Sequence, residues 1–136
     1  MTLSNAQDYS NYIGIPYRSP DSNQEGLNCW ELVEKIMIEQ FKLKPPIVHY
    51  SGPVEKVAPV FMSQLLAWDL ISNEHRAPGD LILLSITGYP VHCGILINET
   101  QFIHTLKSCN SCIESISSIS WKKRILGFYR WKTKTN

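Results

Sequence analysis

From position 29 the apolar residues fall at helical spacing: Trp30, Val33, Ile36, Met37 and Phe41 share one face. Glu31, Glu34, Lys35 and Glu39 fill the other, and Glu31 with Lys35 makes a favourable i, i+4 pair. Asn28 is the candidate N-cap, and Lys44, Pro45 and Pro46 stop the helix. Cys29 therefore falls at or next to the first helical position, among backbone N–H groups that have no intrahelical acceptor. A weaker helical pattern over 54–71 centres on Phe61, Leu65, Leu66 and Trp68, with Pro59 breaking its start. A short amphipathic helix is expected over 5–13, with Tyr9, Tyr12 and Ile13 on one side and Gly14 and Pro16 ending it. Residues 15–28 are rich in Pro, Ser, Asp, Asn and Gly and read as a loop.

After the turn APGD (77–80) the period changes to that of strands. LILLSI (81–86), VHCGILI (91–97), QFIHTLK (101–107), IESIS (113–117) and RILGFYRW (124–131) are separated by short turns. Links of two to six residues predict an antiparallel meander. Helices first and strands after give an α+β fold, N-terminal helices packed on a C-terminal antiparallel sheet. No repeat or linker divides the chain, so residues 1–136 read as one domain.

Composition adds mainly exclusions. A 43% hydrophobic and 18% charged chain is globular. A formal net charge of +1 argues against a nucleic-acid partner. The basic residues that do cluster (Lys122, Lys123, Arg124, Arg130, Lys132 and Lys134) read as a solvated C-terminal segment. No run approaches the ~20 apolar residues of a membrane span. The first residues lack the charged and apolar regions of a secretory signal, so a cytoplasmic origin is expected. In that compartment the four cysteines, at 29, 93, 109 and 112, are not a disulfide framework. Cys109 and Cys112 form a C-x-x-C with no second pair to complete a zinc site, and KSCNSCIES reads as a hairpin turn. No cofactor is called for.

His49 and His75 lie in loop-like surroundings and receive no catalytic role, whereas His92 and His104 each sit inside an apolar strand. By two-residue alternation His92, Gly94 and Leu96 share a face, as do Phe102, His104 and Leu106. A hairpin pivoting on Glu99 sets Gly94 opposite His104, which leaves the surface open there and puts His92 one diagonal step away on the same face. A thiol nucleophile needs a base at ~3 Å and a third polar group to orient that base. A helix N-terminus favours the thiolate, and the Cys29 N–H can help hold an oxyanion. Two satisfied sheet histidines and a buried thiol fit the same pattern, so the residues alone leave catalysis open. Cys93 points away from His92 and reads as core packing.

The order of these residues resembles the NlpC-type cysteine peptidases of the papain-like superfamily, nearly end to end. The likeness rests on YIGIPYRSPDSNQEGLNCWELV (12–33), APGDLILLSITGYPVHCGILI (77–97), QFIHTLK (101–107) and WKKRILGFYRW (121–131). Cys-Trp at 29–30 and the closing segment resemble the phage tail-associated members. The resemblance implies Cys29 as nucleophile, His92 as general base, His104 as orienting residue and Tyr17 as a neighbour assisting the oxyanion site. It implies hydrolysis of amide bonds in peptidoglycan stem peptides, typically D-γ-glutamyl–diaminopimelate or –lysine, without a metal. Asn28 stands where the family usually has Asp, the loop after Tyr17 lacks a double Gly, and Glu31 replaces a small residue, adding negative charge near the groove. With no wall-binding domain apparent, delivery to the wall by a phage tail or a secretion apparatus is expected. Two other uses of the same fold stay open: a weak or inactive tail or assembly module, and a thiol acyltransferase.

Overall fold

The computed structural model describes residues 8–19, 24–46, 49–107 and 109–131. Two helices, α1 (Cys29–Phe41) and α2 (Val54–Leu65), precede six strands. These are β1 (Asp69–Ile71), β2 (Leu81–Ile86), β3 (Tyr89–Leu96), β4 (Gln101–Leu106), β5 (Cys109–Ser115) and β6 (Ile125–Arg130). The sheet order is β1-β6-β2-β3-β4-β5, every pair antiparallel. The α+β expectation holds, and β2 to β5 form the meander. The closing strand departs from it by returning to lie between β1 and β2.

Alternation along the strands builds two apolar layers. Leu81, Leu83, Cys93, Ile95 and Ile103 face the helices, meeting Leu32, Val33, Ile36 and Met37 of α1 and Phe61 of α2. Ile82, Leu84, Leu96 and Phe102 face the other way, under Trp121 and beside Phe128. Trp30 fills the core between Phe61 and Trp68, at ring distances of 5.7 and 5.8 Å.

The ends of α1 are set locally. The Asn28 side chain accepts from the Glu31 N–H at 3.0 Å, and the Glu31 carboxylate accepts from the Asn28 N–H at 3.0 Å, a complete capping box. Lys42, with φ 59°, ends the helix in a left-handed conformation, ahead of the expected stop at Lys44 and the two prolines. Glu31 does not pair with Lys35; Lys35 pairs with Glu39 at 3.0 Å. The capping box and an ion pair with Arg18 occupy Glu31 instead.

Other local expectations are corrected by tertiary pairing. Pro59 lies within α2 rather than breaking its start, and the helix ends at Leu65. Residues 69–71 become a strand because β6 offers a partner, with Asp69 opposite Arg130. Of the helix expected over 5–13, residues 5–7 lie outside the described residues, and Ser10–Tyr12 form a single 3-10 turn. Cys109 and Cys112 are not turn residues but belong to β5, with Cys112 opposite His104. Asn110 and Ser111 are weak strand formers, yet the strand pairs with β4 on one side and Ser111 bonds to residues 14 and 15 on the other. Gly14 N–H donates to the Ser111 carbonyl at 2.8 Å, and Ser111 N–H to the Ile15 carbonyl at 2.9 Å. Arg130 is not a free surface charge, because its guanidinium grips the buried Asp80 carboxylate at 2.8 and 2.9 Å. Asp80 also accepts from the Ala77 N–H at 2.8 Å. The Pro-Gly-Asp turn is thus tied to the last strand by a bidentate charge pair.

Candidate active site

β3 and β4 pair at Leu96 with Phe102 and at Ile95 with Ile103, the register expected from a hairpin on Glu99. Gly94 follows opposite His104, but the surface there is not open. A Cβ on Gly94 would sit 2.7 Å from the Ile103 carbonyl oxygen and 3.1 Å from the His104 Cβ. Glycine here permits close approach of the two backbones. Beyond it, His92 and His104 meet across the sheet face: His92 Nε2 lies 2.8 Å from His104 Nδ1. Trp121 covers both rings, at centroid distances of 5.6 and 4.9 Å, so the histidine pair is buried.

The bond to His104 uses His92 Nε2 and leaves Nδ1 for the thiol. Cys29 and His92 line one cavity of about 460 Å³, together with Tyr17, Tyr50, Gly52 and Lys107. Burial pushes the Cys29 thiol up. Hydrogen bonds with Cys93 and His92, the charge of His92 and the Tyr50 hydroxyl outweigh it and hold the thiol well below its ordinary range. The N-terminus of α1 acts in the same direction. Burial pushes the Cys93 thiol up, and its hydrogen bond to Cys29 and the charge there push it further, so Cys93 is the proton-bearing partner. Cys93 does lie buried on the face opposite His92, as expected, but it is more than packing.

Burial, and then the charge of His92, push His104 down to about 3. His104 is therefore neutral and accepts at Nδ1. Its other nitrogen, Nε2, faces Glu114 Oε2 at 3.5 Å, which favours the hydrogen on that side. The order thiol, imidazole, neutral imidazole, carboxylate runs from the cavity to the outer strand.

The Tyr50 hydroxyl is 3.5 Å from Cys29 Sγ. Burial and the nearby Cys29 charge push its pKa well up, so it stays a hydroxyl donor. Tyr50 is not among the residues that periodicity or motif marks as candidates. Its only local signal is a tyrosine in a short segment between Pro46 and Gly52-Pro53, which periodicity does not interpret. Tyr17 lines the same cavity, and burial and the Cys29 charge raise its pKa too. Its backbone bridges to Leu27, with the Leu27 N–H donating to the Pro16 carbonyl at 3.0 Å. Glu31 is not a free charge beside the groove: the Asn28 N–H and Arg18 engage its two oxygens. His49 and His75 stand apart, and His75 Nδ1 contacts the Ser72 hydroxyl at 2.6 Å.

A cysteine at the start of a helix packed on an antiparallel sheet, with a histidine pair on the neighbouring strands, defines the papain-like class of fold. Among solved structures, the chain is similar to a Staphylococcus aureus protein described as "similar to lipoprotein, NLP/P60 family". That match has a TM-score of 0.66 and 22% identity, over 98% of this chain and 43% of the other. The NlpC/p60 domain of the peptidoglycan hydrolase SagA matches with a TM-score of 0.60 and 18% identity, over 96% and 95% of the two chains. Residues 14–130 match the NlpC/P60 family, and the chain belongs to it. Among curated proteins, it is 29% identical over 116 residues to an Escherichia coli K12 protein named murein DD-endopeptidase MepS/murein LD-carboxypeptidase. The match takes in 85% of this chain and 55% of that protein, so the chain spans about half the length of the curated relatives it matches.

Proposed function

We propose that the protein is a cysteine peptidase that hydrolyses amide bonds in peptidoglycan stem peptides. The observation that carries this reading is His92. One ring nitrogen is held at 2.8 Å by a neutral His104, while the ring lowers the pKa of a thiol in the same cavity. In the reaction His92 holds the Cys29 proton and the thiolate attacks the amide carbonyl. The oxyanion is met by the Cys29 N–H, which as the first helical residue has no intrahelical acceptor, and by Tyr50 or Tyr17. His92 then protonates the leaving amine as the C–N bond breaks. Water, deprotonated by His92, cleaves the thioester and regenerates the thiol.

The bond we favour is D-γ-glutamyl–diaminopimelate, as the likeness of the Cys29 and His92 segments implies. MepS is named for two other cleavages, so the test needs three substrates. Purified protein is incubated with a D-γ-glutamyl–diaminopimelate peptide, a D,D-cross-linked dimer and an L,D-linked tetrapeptide, and products are separated by chromatography. Cleavage of the first, lost in Cys29→Ala, is the expected result. An equally active Cys29→Ala chain would overturn the assignment. We further infer synthesis in the cytoplasm and delivery to the wall by a phage tail or a secretion apparatus. The Cys29-Trp30 pair and the closing segment 121–131 support delivery by a phage tail.

A further inference from the structure

The second cysteine of the C-x-x-C has no part in the proposed reaction, yet it faces the one ring nitrogen of the histidine pair that neither the thiol nor His92 uses. β4 and β5 pair with Cys112 directly opposite His104, and Glu114 follows two residues on, on the same face as Cys112. The ligand atoms of His104, Cys112 and Glu114 all lie within 4.8 Å of one another. His104 Nε2 is 3.5 Å from Glu114 Oε2, and Cys112 Sγ is 3.7 Å from the same oxygen.

We infer that His104, Cys112 and Glu114 form a binding site for a divalent, thiophilic metal ion of the zinc class. A tetrahedral zinc with bonds of about 2.0–2.3 Å separates its nitrogen, oxygen and sulfur ligands by roughly 3.4–3.6 Å. The His104–Glu114 and Cys112–Glu114 separations of 3.5 and 3.7 Å are already close to that, and the third pair lies within 4.8 Å. One imidazole, one thiolate and one carboxylate suit zinc or cobalt(II), whereas magnesium and calcium prefer oxygen alone. Three protein ligands leave a fourth position for water. Cys112 and Glu114 are partly exposed and give the ion a way in, while the buried His104 ring is fixed from behind by its bond to His92. On binding, the thiol proton passes to solvent, and the metal takes the Nε2 lone pair.

The site shares His104 with the proposed catalytic chain. A metal on Nε2 leaves the ring hydrogen on Nδ1, so His104 donates towards His92 Nε2 where it otherwise accepts. An imidazolium at His92 then meets hydrogen against hydrogen. Metal binding therefore opposes the orientation that the reaction uses, and zinc inhibits hydrolysis. This second consequence rests on the proposed function; the binding itself does not.

The test is cobalt(II) titration of the whole chain after chelator treatment, followed by near-ultraviolet and visible absorption. The expected result is a thiolate-to-cobalt charge-transfer band that saturates at about one equivalent and is displaced by zinc. Cys112→Ser abolishes the band, Glu114→Gln weakens binding about tenfold or more, and Cys109→Ser leaves it in place. Circular dichroism matched to wild type shows that each variant is folded, and Glu114→Gln decides the matter should Cys112→Ser fail to fold. Absence of the band in wild type, or its survival in Cys112→Ser, overturns the site. Because the spectrum is read without substrate, it stands whether or not the chain cleaves peptidoglycan. Where cleavage is seen, zinc inhibits wild type and leaves Cys112→Ser at least about tenfold less sensitive.

Discussion

The face of the sheet under α1 and α2 and the face under Trp121 differ in what they can hold. Beneath the helices lies a layer of leucine, isoleucine, valine and aromatic side chains, with Cys93 and Cys29 at its edge. Beneath Trp121 lies a smaller layer, and in it sits the histidine pair with Glu114 at its rim. Burying imidazole rings away from water costs free energy unless each nitrogen finds a partner. The thin face supplies those partners from neighbouring strands and keeps its rim near solvent. The thick face supplies a rigid platform that aims the start of α1. Cys29 is only 4% exposed, yet it lines the same cavity as His92 of the other face. The larger apolar layer lies on one side and the histidine pair on the other, and the Cys29 thiol belongs to the first while bonding to His92 of the second.

Substitutions can break that division. The largest effect is expected from Cys29→Ala: hydrolysis falls by about 10⁴-fold or more, with little change in melting temperature, as product chromatography and calorimetry would show. Next, Ile36→Ala on the thick face costs about 2–5 kcal/mol of stability in denaturant titration, while the remaining folded protein keeps its turnover. Trp121→Ala, by contrast, should also lower hydrolysis by the folded protein, by about tenfold or more, as water reaches the histidine pair. If both variants changed only stability, the two faces would not be functionally distinct.

The thiol gives a pH test. A folded pKa held below the ordinary value of about 8.5 keeps the thiolate present as pH falls, so iodoacetamide should alkylate Cys29 rapidly below pH 7. In His92→Gln the hydrogen bond and charge that oppose burial are gone, so labelling should shift to higher pH than in wild type. Mass spectrometry of the labelled peptide reads both profiles. Tyr50→Phe should lower turnover by about tenfold and exceed the effect of Tyr17→Phe, because only Tyr50 places its hydroxyl 3.5 Å from the sulfur. The smallest effect is that of Asn28→Ala, which removes the cap and costs about 1 kcal/mol, a fall of a few degrees in melting temperature.

Much of this was legible along the chain, for identifiable reasons. The β3–β4 register follows from a short turn and two-residue alternation, which is why the meeting of His92 and His104 could be read from a hairpin on Glu99. Asn28 and Glu31 form a capping box within four residues of each other, and both ends of that interaction are local. The position of Cys29 at the start of α1 follows from the same local signals. By contrast, Tyr50 reaches the thiol from a loop 21 residues away. Nothing in the spacing of HYSGP reports that approach.

The same distinction separates the expectations that held from those that did not. Periodicity and caps act over a few residues, so the sequence by itself determined α1, the β2–β5 meander and the shared face of the two histidines. Strand propensity is weak against pairing, so tertiary structure decided that 69–71 is a strand on β6 and that the C-x-x-C is extended within β5. It also decided the use of charges. Glu31, Arg18, Asp80 and Arg130 take partners far along the chain, because a partly buried charge goes to the nearest complementary group and not to the nearest in sequence. Above all it brought Cys29, Tyr50 and Cys93 to one sulfur-centred cluster. Three separate elements must pack before any of them can change the chemistry of the thiol.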